Sequence, residues 1–220
     1  MSFARAIDVV WPSLPAHVTE SRLYRNGGIL ILDMPGPEVI DQLREEALLV
    51  RADGSRNEWS GSDVIEERGG NPSRAFGSAE AGQVQWNLFS GAAMVKAVTE
   101  ACGLEVEPSG SGTYSYYERN GDFLALHRDI ENCDLTVITC LRDTGPAEAR
   151  GGLLVYPEHI NRPLEAARQA RRTAAVAASI GAGQSAALLG GFVPHEVFPM
   201  ADGQERIVSV MCYRITGWEL

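Results

Sequence analysis

The sequence lacks long apolar runs and an excess of positive charge. No segment approaches the roughly 20 apolar residues of a membrane-spanning helix, and residues 1–8 lack the pattern of a signal peptide. We therefore expect no membrane association. Lysine and arginine number 19 against 29 aspartates and glutamates, which gives a net charge of -10 and a pI near 4.9. This balance argues against a nucleic-acid-binding protein.

Cysteine is also scarce. The four cysteines, Cys102, Cys133, Cys140 and Cys212, are scattered and form no CxxC motif. This usage indicates small core residues of a reduced, cytoplasmic protein.

The remaining composition is typical of a soluble globular domain, with 45% hydrophobic and 22% charged residues in 220. We expect one domain over 1–220, with a helical part over about 1–105 and a strand-rich part over about 106–220. The patterns predict an extended arm at 9–12, a strand at 29–33, and helices beginning at Pro37 and covering 86–102 and 163–180. The polar, glycine-rich segment 52–82 is typical of a functional loop or lid, or of a disordered surface loop.

The most informative stretch is 121–129, which predicts a strand ending in His127-Arg-Asp129. Residues two positions apart on an extended strand project from the same face, so the imidazole and the carboxylate can hold one metal ion together. With a second histidine they would form the 2-His-1-carboxylate set that leaves coordination positions open. A solvated turn is the alternative interpretation of so short a motif.

His195 is the natural third ligand, because it follows a glycine-rich turn and Pro194. The alternative is a histidine satisfied by a backbone carbonyl. His17 is expected in the N-terminal region and His159 in a surface or capping role. Arg206 opens an apolar strand, where a buried guanidinium needs an anion. It could clamp a carboxylate ligand, or pair with Glu205 or Glu196 at the surface.

The order of the motifs along the chain resembles that of the Fe(II)- and 2-oxoglutarate-dependent dioxygenases, most closely the prolyl-4-hydroxylase-like branch. The matching residues are Tyr117, Gly121, His127-Arg-Asp129, Thr136 to Leu141, Gly151-Gly-Leu-Leu154, His195 with Pro199, and Arg206. The resemblance covers a little under half of the chain. The order of the predicted elements, helices followed by many short strands, already indicates an α+β domain in which helices brace a β-barrel or sandwich. The resemblance implies a double-stranded β-helix (jelly-roll, cupin-like) core braced by N-terminal helices.

The resemblance also implies the chemistry. Fe(II) would be held by His127, Asp129 and His195, and the distal carboxylate of 2-oxoglutarate by Arg206, assisted by Tyr117 or Thr136. Many relatives have a hydroxyl residue two positions after the arginine. This chain has Val208 there, and Ser209 falls on the other strand face.

With O2 as a further substrate, the implied reaction is hydroxylation of an unactivated C–H bond with release of succinate and CO2. We expect a small-molecule substrate, such as an amino-acid derivative or natural-product intermediate. The alternatives are a prolyl-type protein hydroxylase and a cupin-like metalloenzyme that does not use 2-oxoglutarate. The candidates for a lid or wall of the substrate site are Trp59, Arg68, Arg74 and Trp86. Arg119 and Arg214 are candidates for contact with an anion, and a structural role is the alternative for each of the six residues.

Overall fold

The structure is a computed structural model that describes residues 13–61, 68–110, 112–145, 152–170 and 174–217. The arm predicted at 9–12 lies outside these residues.

The described residues include the helices α1 Ala16–Thr19, α2 Arg22–Arg25, α3 Pro37–Val50, α4 Gln83–Ser90, α5 Ala92–Cys102 and α6 Leu164–Gln169. Pro37 occupies the first turn of α3, as predicted. Gly103 ends α5 in the left-handed conformation, with φ at 69°. The helix predicted over 86–102 is two helices, because Gly91 between them has an extended backbone.

The strands of the described residues are β1 Ile29–Leu32, β2 Ser55–Trp59, β3 Arg74–Glu80, β4 Val106–Pro108, β5 Thr113–Tyr117, β6 Phe123–His127, β7 Leu135–Asp143, β8 Leu153–Val155, β9 Val176–Ala178, β10 Ser185–Leu188, β11 His195–Val197 and β12 Arg206–Ile215. They form one sheet in the order β1-β10-β7-β12-β5-β3-β6-β11-β8-β9, with β2 beside β3 and β4 beside β12. The sheet is antiparallel and curls so that β5, β7 and β12 face β6, β8 and β11 across one cavity. This curled sheet braced by helices confirms the predicted α+β jelly-roll architecture.

Two further predictions of local structure were wrong. The segment 52–82 is not a loop throughout, because β2 and β3 pair within it and β3 also pairs with β5 and β6. Neither strand shows a clear apolar alternation, so the period-2 signal was missing. Among the described residues of the helix predicted over 163–180, only Leu164–Gln169 are helical. β9 lies further along this alanine-rich sequence, and its strand conformation comes from pairing with β8.

The helices cover the outer face of the sheet. Ile40 and Leu43 of α3 pack against Tyr114, Leu141 and other buried residues. Helix α4 is attached by a buried acid. The Glu46 carboxylate accepts hydrogen bonds from the backbone N–H groups of Val84 and Gln85 and from the Tyr114 hydroxyl. It thus caps α4 and joins two helices to β5.

Cys133 and Cys212 form a disulfide across 79 residues of sequence. The antiparallel register of β12 and β7 sets Cys212 opposite Thr136, beside the turn that carries Cys133. The prediction of reduced cysteines is wrong for this pair, and it holds for the buried thiols Cys102 and Cys140. The cytoplasmic location, which rested on it, stays a prediction.

Within the described parts of the chain, no helix has the length and apolar character needed to cross a membrane.

Candidate metal and ligand site

His127 lies at the end of β6, where the strand is irregular. His127 pairs with His195 of β11, and Leu124 pairs with Val197, so three steps along β6 match two along β11. A β-bulge of this kind changes which way side chains point. Leu124 and His127 consequently both line the cavity, although regular alternation would set them on opposite faces.

The backbone fixes the orientation of both imidazoles. The Nδ1 of His127 lies 2.9 Å from the carbonyl of Ala125, and the Nδ1 of His195 lies 3.0 Å from the carbonyl of Val193. A protonated Nδ1 donates to each carbonyl and leaves the lone pair of Nε2 free. The carbonyl bond expected of a merely structural His195 is therefore present, and it is compatible with a ligand role.

His127, Asp129 and His195 converge on one point. Each Nε2 lies 3.6 Å from Oδ1 of Asp129, and the ring centroids are 4.2 Å apart. The three ligand atoms all lie within 4.8 Å of one another. Two neutral nitrogens and one carboxylate oxygen on one side of a cavity suit a first-row divalent metal and leave positions open on the other side.

The second oxygen of Asp129 is held by Thr136, whose hydroxyl donates to Oδ2. The Asp129 backbone N–H donates to the carbonyl of Gly190 at 2.9 Å. A Cβ atom at Gly190 would overlap the Asp129 carboxylate, so the carboxylate fits only because this residue is glycine. The sequence showed a turn at Gly190 but not this close approach.

The site favours the protonation states of metal ligands. Burial lowers the pKa of His127, and the neighbouring His195 adds to this, so its neutral form is favoured. Burial acts to raise the pKa of Asp129, but the favourable interactions of its charge with His195 and His127 outweigh this effect. The Asp129 pKa lies well below its ordinary value, so this group is a carboxylate.

The cavity measures about 130 Å³ and extends from the triad to Arg206. Strand β5 lines it with Thr113, Ser115 and Tyr117, and most of the remaining wall is aliphatic. Arg206 is 2% exposed. The sequence argument required an anion for this residue, and the structure supplies one.

That anion is Asp143, not Glu205 or Glu196. The Nε of Arg206 lies 3.2 Å from Oδ2 of Asp143, whose side chain is 1% exposed. The two residues are direct partners in the β12–β7 register, which the sequence alone did not show. Glu205 pairs with Arg142 instead, at 3.1 Å.

Asp143 does not satisfy the whole guanidinium. Nη2 of Arg206 is buried and has no hydrogen-bond partner among the described residues. The guanidinium lies 6.0 Å from the ring of Tyr117, whose hydroxyl pKa is raised by burial. An orphaned N–H group of a buried cation is costly, and an anionic ligand in the cavity would satisfy it.

The expectation about Ser209 is confirmed. Its hydroxyl faces away from the cavity and lies 2.6 Å from Nε2 of Gln85, whereas Val208 lines the cavity. Ser115 is the direct strand partner of Val208 and lines the cavity with a hydroxyl, a position that the sequence did not single out. Thr136 also lines the cavity, with its hydroxyl donated to Asp129.

His17 and His159 are not part of the triad. His17 lies in α1, and His159 ends a short 3-10 helix at Pro157–His159 with its Nδ1 buried. Three of the six residues suggested for a substrate wall or an anion contact are in structural contacts. Arg68 pairs with Asp134 at 2.7 Å, Arg119 lies 3.8 Å from Glu58, and Arg214 donates to Asn132.

No protein-family model matches the chain, and no curated protein matches it in sequence. Solved structures do. A Pseudomonas putida prolyl-4-hydroxylase matches with a TM-score of 0.57 and 17% identity, over 89% of this chain and 96% of that chain. The non-heme alpha-ketoglutarate-dependent epimerase SnoN from nogalamycin biosynthesis gives 0.64 and 14%, over 87% and 79%. EctD from S. alaskensis with bound Fe gives 0.60 and 17%, over 87% and 76%.

At these identities the likeness concerns the fold. The chain therefore has the fold of solved 2-oxoglutarate- and Fe(II)-dependent oxygenases, the architecture that the motifs around His127 and Asp129 predicted.

Proposed function

We propose that the protein is an Fe(II)- and 2-oxoglutarate-dependent oxygenase that hydroxylates a C–H bond of a small molecule. His127, Asp129 and His195 hold the iron. Bound Fe(II) supplies the redox chemistry that couples oxidation of 2-oxoglutarate by O2, to succinate and CO2, with oxidation of the substrate.

The observation that carries the proposal is the free Nη2 of Arg206 in the triad's own cavity. A metal site without 2-oxoglutarate gives no reason for a buried guanidinium with an unused donor. Arg206 binds the distal carboxylate through this donor, and the Tyr117 hydroxyl, on the same wall, is a second donor to it. Asp143 keeps the guanidinium oriented. SnoN and EctD structures that contain alpha-ketoglutarate or 2-oxoglutarate support the choice of cosubstrate.

A small-molecule substrate is also part of the proposal. SnoN has been solved with a nogalamycin compound and EctD with 5-hydroxyectoine, whereas a prolyl hydroxylase from Trichoplax adhaerens has been solved with a peptide. Protein side-chain hydroxylation is thus the alternative that substrate screening must address.

The test uses Arg206→Lys, which keeps a cation beside Asp143 but removes Nη2. We expect 2-oxoglutarate affinity to fall about 10- to 100-fold, since hydrogen bonds to charged groups contribute about 1.5–3 kcal/mol. Fe(II) affinity should stay within about twofold, because Arg206 does not contact the triad. Calorimetry under anaerobic conditions gives both affinities, and succinate release in air measures turnover.

Wild-type protein that binds Fe(II) but neither binds nor consumes 2-oxoglutarate would refute the proposal. It would favour the cupin-like metalloenzyme instead.

A further inference from the structure

The sequence offers six side chains as candidates for a substrate wall or an anion contact, and the structure separates them. Arg68, Arg119 and Arg214 are engaged in the contacts given above. Trp86 lies in α4 with its ring 5.7 Å from that of Phe89, in the helical layer outside the sheet. Trp59 and Arg74 remain.

Trp59 and Arg74 lie on the sheet face that leads into the cavity. They are direct partners in the β2–β3 register, and Arg74 is also the direct partner of Leu124 in β6. Directly paired residues of antiparallel strands project from the same face. Leu124 lines the cavity that holds the triad, so Trp59 and Arg74 extend this wall outward by two strands.

Phe76 supports this placement from the same strand. It lies two residues beyond Arg74 in β3 and therefore shares its face. Its ring stacks on Tyr117 at 5.2 Å between centroids, and Tyr117 is a wall residue of the cavity. One continuous face thus runs from Arg206 and Tyr117 past Phe76 to Arg74.

Arg74 keeps an uncompensated charge. Its Nη1 donates to Oδ1 of Asn71 at 2.6 Å and to the carbonyl of Pro72 at 3.2 Å, both neutral acceptors. No carboxylate of the described residues forms an ion pair with it. The two neutral contacts hold the half-buried side chain in place without cancelling its charge, as suits an anion-binding position.

Trp59 offers a flat apolar surface next to this charge. The indole is 47% exposed. It lies against the backbone of Gly61, where a Cβ would approach the ring to 2.5 Å. A half-exposed aromatic ring beside a cation forms a recognition surface for a planar or apolar group with a negative end.

We propose that Arg74 and Trp59 form the outer part of the substrate site. The substrate then carries a carboxylate or phosphate bound by Arg74 and, next to it, a flat apolar part that contacts Trp59. This inference names the substrate class of the oxygenase proposed above and rests on that function for its reaction. The binding surface itself requires neither metal nor cosubstrate.

The test is calorimetric titration with three matched probes: phenylacetate, phenyl phosphate and phenylacetamide. The protein is loaded with Fe(II) and saturating 2-oxoglutarate without O2, so that the Arg206 position is filled. We expect the better anion to bind at least about tenfold more tightly than the amide, as for hydrogen bonds to a charged group. Which anion binds more tightly distinguishes a carboxylate from a phosphate substrate.

Variants of Arg74 and Trp59 test whether these residues cause the tighter binding of the anionic probes. Arg74→Gln should bring anion affinity down to that of the amide, and Arg74→Lys should retain part of the difference. Trp59→Leu should weaken all three probes by a similar factor of about two to ten. Arg119 lies 3.8 Å from Glu58, which neighbours Trp59 in β2 and therefore projects from the opposite face. Arg119→Gln should therefore leave the anion preference unchanged.

Equal binding of acid and amide by the unaltered protein would overturn the inference, and no folding defect can affect that comparison. A preference that survives in Arg74→Gln would also overturn it. If Fe(II) and 2-oxoglutarate fail to bind, the probes are titrated into metal-free protein. An Arg74-dependent preference there would support this surface while the oxygenase proposal fails.

Discussion

Removing the Thr136 hydroxyl should weaken metal binding, and it should destabilise the fold no more than the loss of another buried hydroxyl does. Thr136→Val is nearly isosteric, and it deletes the donor to Oδ2 of Asp129. Asp129 would then be held through its backbone and the two imidazoles only. Oδ1, the oxygen directed at both Nε2 atoms, would lose its fixed orientation.

The magnitude follows from the bond that is lost. A hydrogen bond to an ionised group contributes about 1.5–3 kcal/mol, which corresponds to about 10- to 100-fold in affinity. Groups that orient a metal ligand through a hydrogen bond have effects of about the same size. We therefore expect Fe(II) or Mn(II) affinity to fall 10- to 100-fold.

Thr139→Val is the matched control. Thr139 lies in the same strand and is fully buried, and its hydroxyl is 2.7 Å from that of Ser185, away from the triad. Both variants lose one buried hydrogen bond, so urea denaturation should show similar losses of stability of about 1–3 kcal/mol. Metal titration should separate them. Equal metal affinities for Thr136→Val, Thr139→Val and the wild type would refute the orienting role of Thr136.

Further predictions concern a close contact, a buried acid and the disulfide. Gly190→Ala should abolish metal binding, because its Cβ would displace the Asp129 carboxylate. The control Gly36→Ala should retain metal binding, because a Cβ at that position meets nothing within 4 Å. Metal titration of the two variants checks this. Asp122 is buried and bound by a bidentate arginine, and hydrogen bonds from that arginine and from backbone N–H groups outweigh burial and lower its pKa. The contribution of ionised Asp122 to the free energy of unfolding should be complete above its ordinary pKa near 3.9. It should be lost as the pH falls through the lower pKa that Asp122 has in the folded protein. Urea denaturation from pH 7 to 3 should therefore show Asp122→Asn less stable by about 1.5–3 kcal/mol at neutral pH, with the difference shrinking only at the acid end. A dithiol reductant, or Cys133→Ser with Cys212→Ser, should lower the free energy of unfolding by about 2–5 kcal/mol; unchanged denaturation would argue against the bond.

Residue types and order were enough to predict the triad. A chain with four histidines offers few candidates, and His-x-Asp at a strand end followed by a histidine after a turn leaves little choice. Alternation correctly set Ser209 on the outer face, because β12 is regular at that point. The Ser209 prediction depended on local geometry, which a regular strand imposes. The triad prediction depended on residue types and order, because Asp129 lies beyond the end of β6 and a bulge sets the direction of His127.

Predictions that depended on pairing between distant strands failed or stayed open. The acid that binds Arg206 is Asp143, which register alone brings opposite it. The Cys133–Cys212 bond depends on the same pair of strands. The bulge before His127 and the strand at Arg74–Glu80 leave no apolar period, because their faces are only partly buried. In each case the tertiary neighbour, not the local sequence, decides the structure.

The strand order also limits how the chain can be shortened. β3 comes from the first half of the sequence, yet it pairs with both β5 and the metal-binding strand β6, and β1 covers the outer edge of β10. A fragment beginning at Val106 would contain all three triad residues and Arg206. It would nevertheless lack the strand that joins the two sides of the cavity, and the hydrogen-bonding edges of β5 and β6 would be exposed. The site should therefore not survive as a C-terminal module, and grafting it onto another scaffold would require an equivalent of β3.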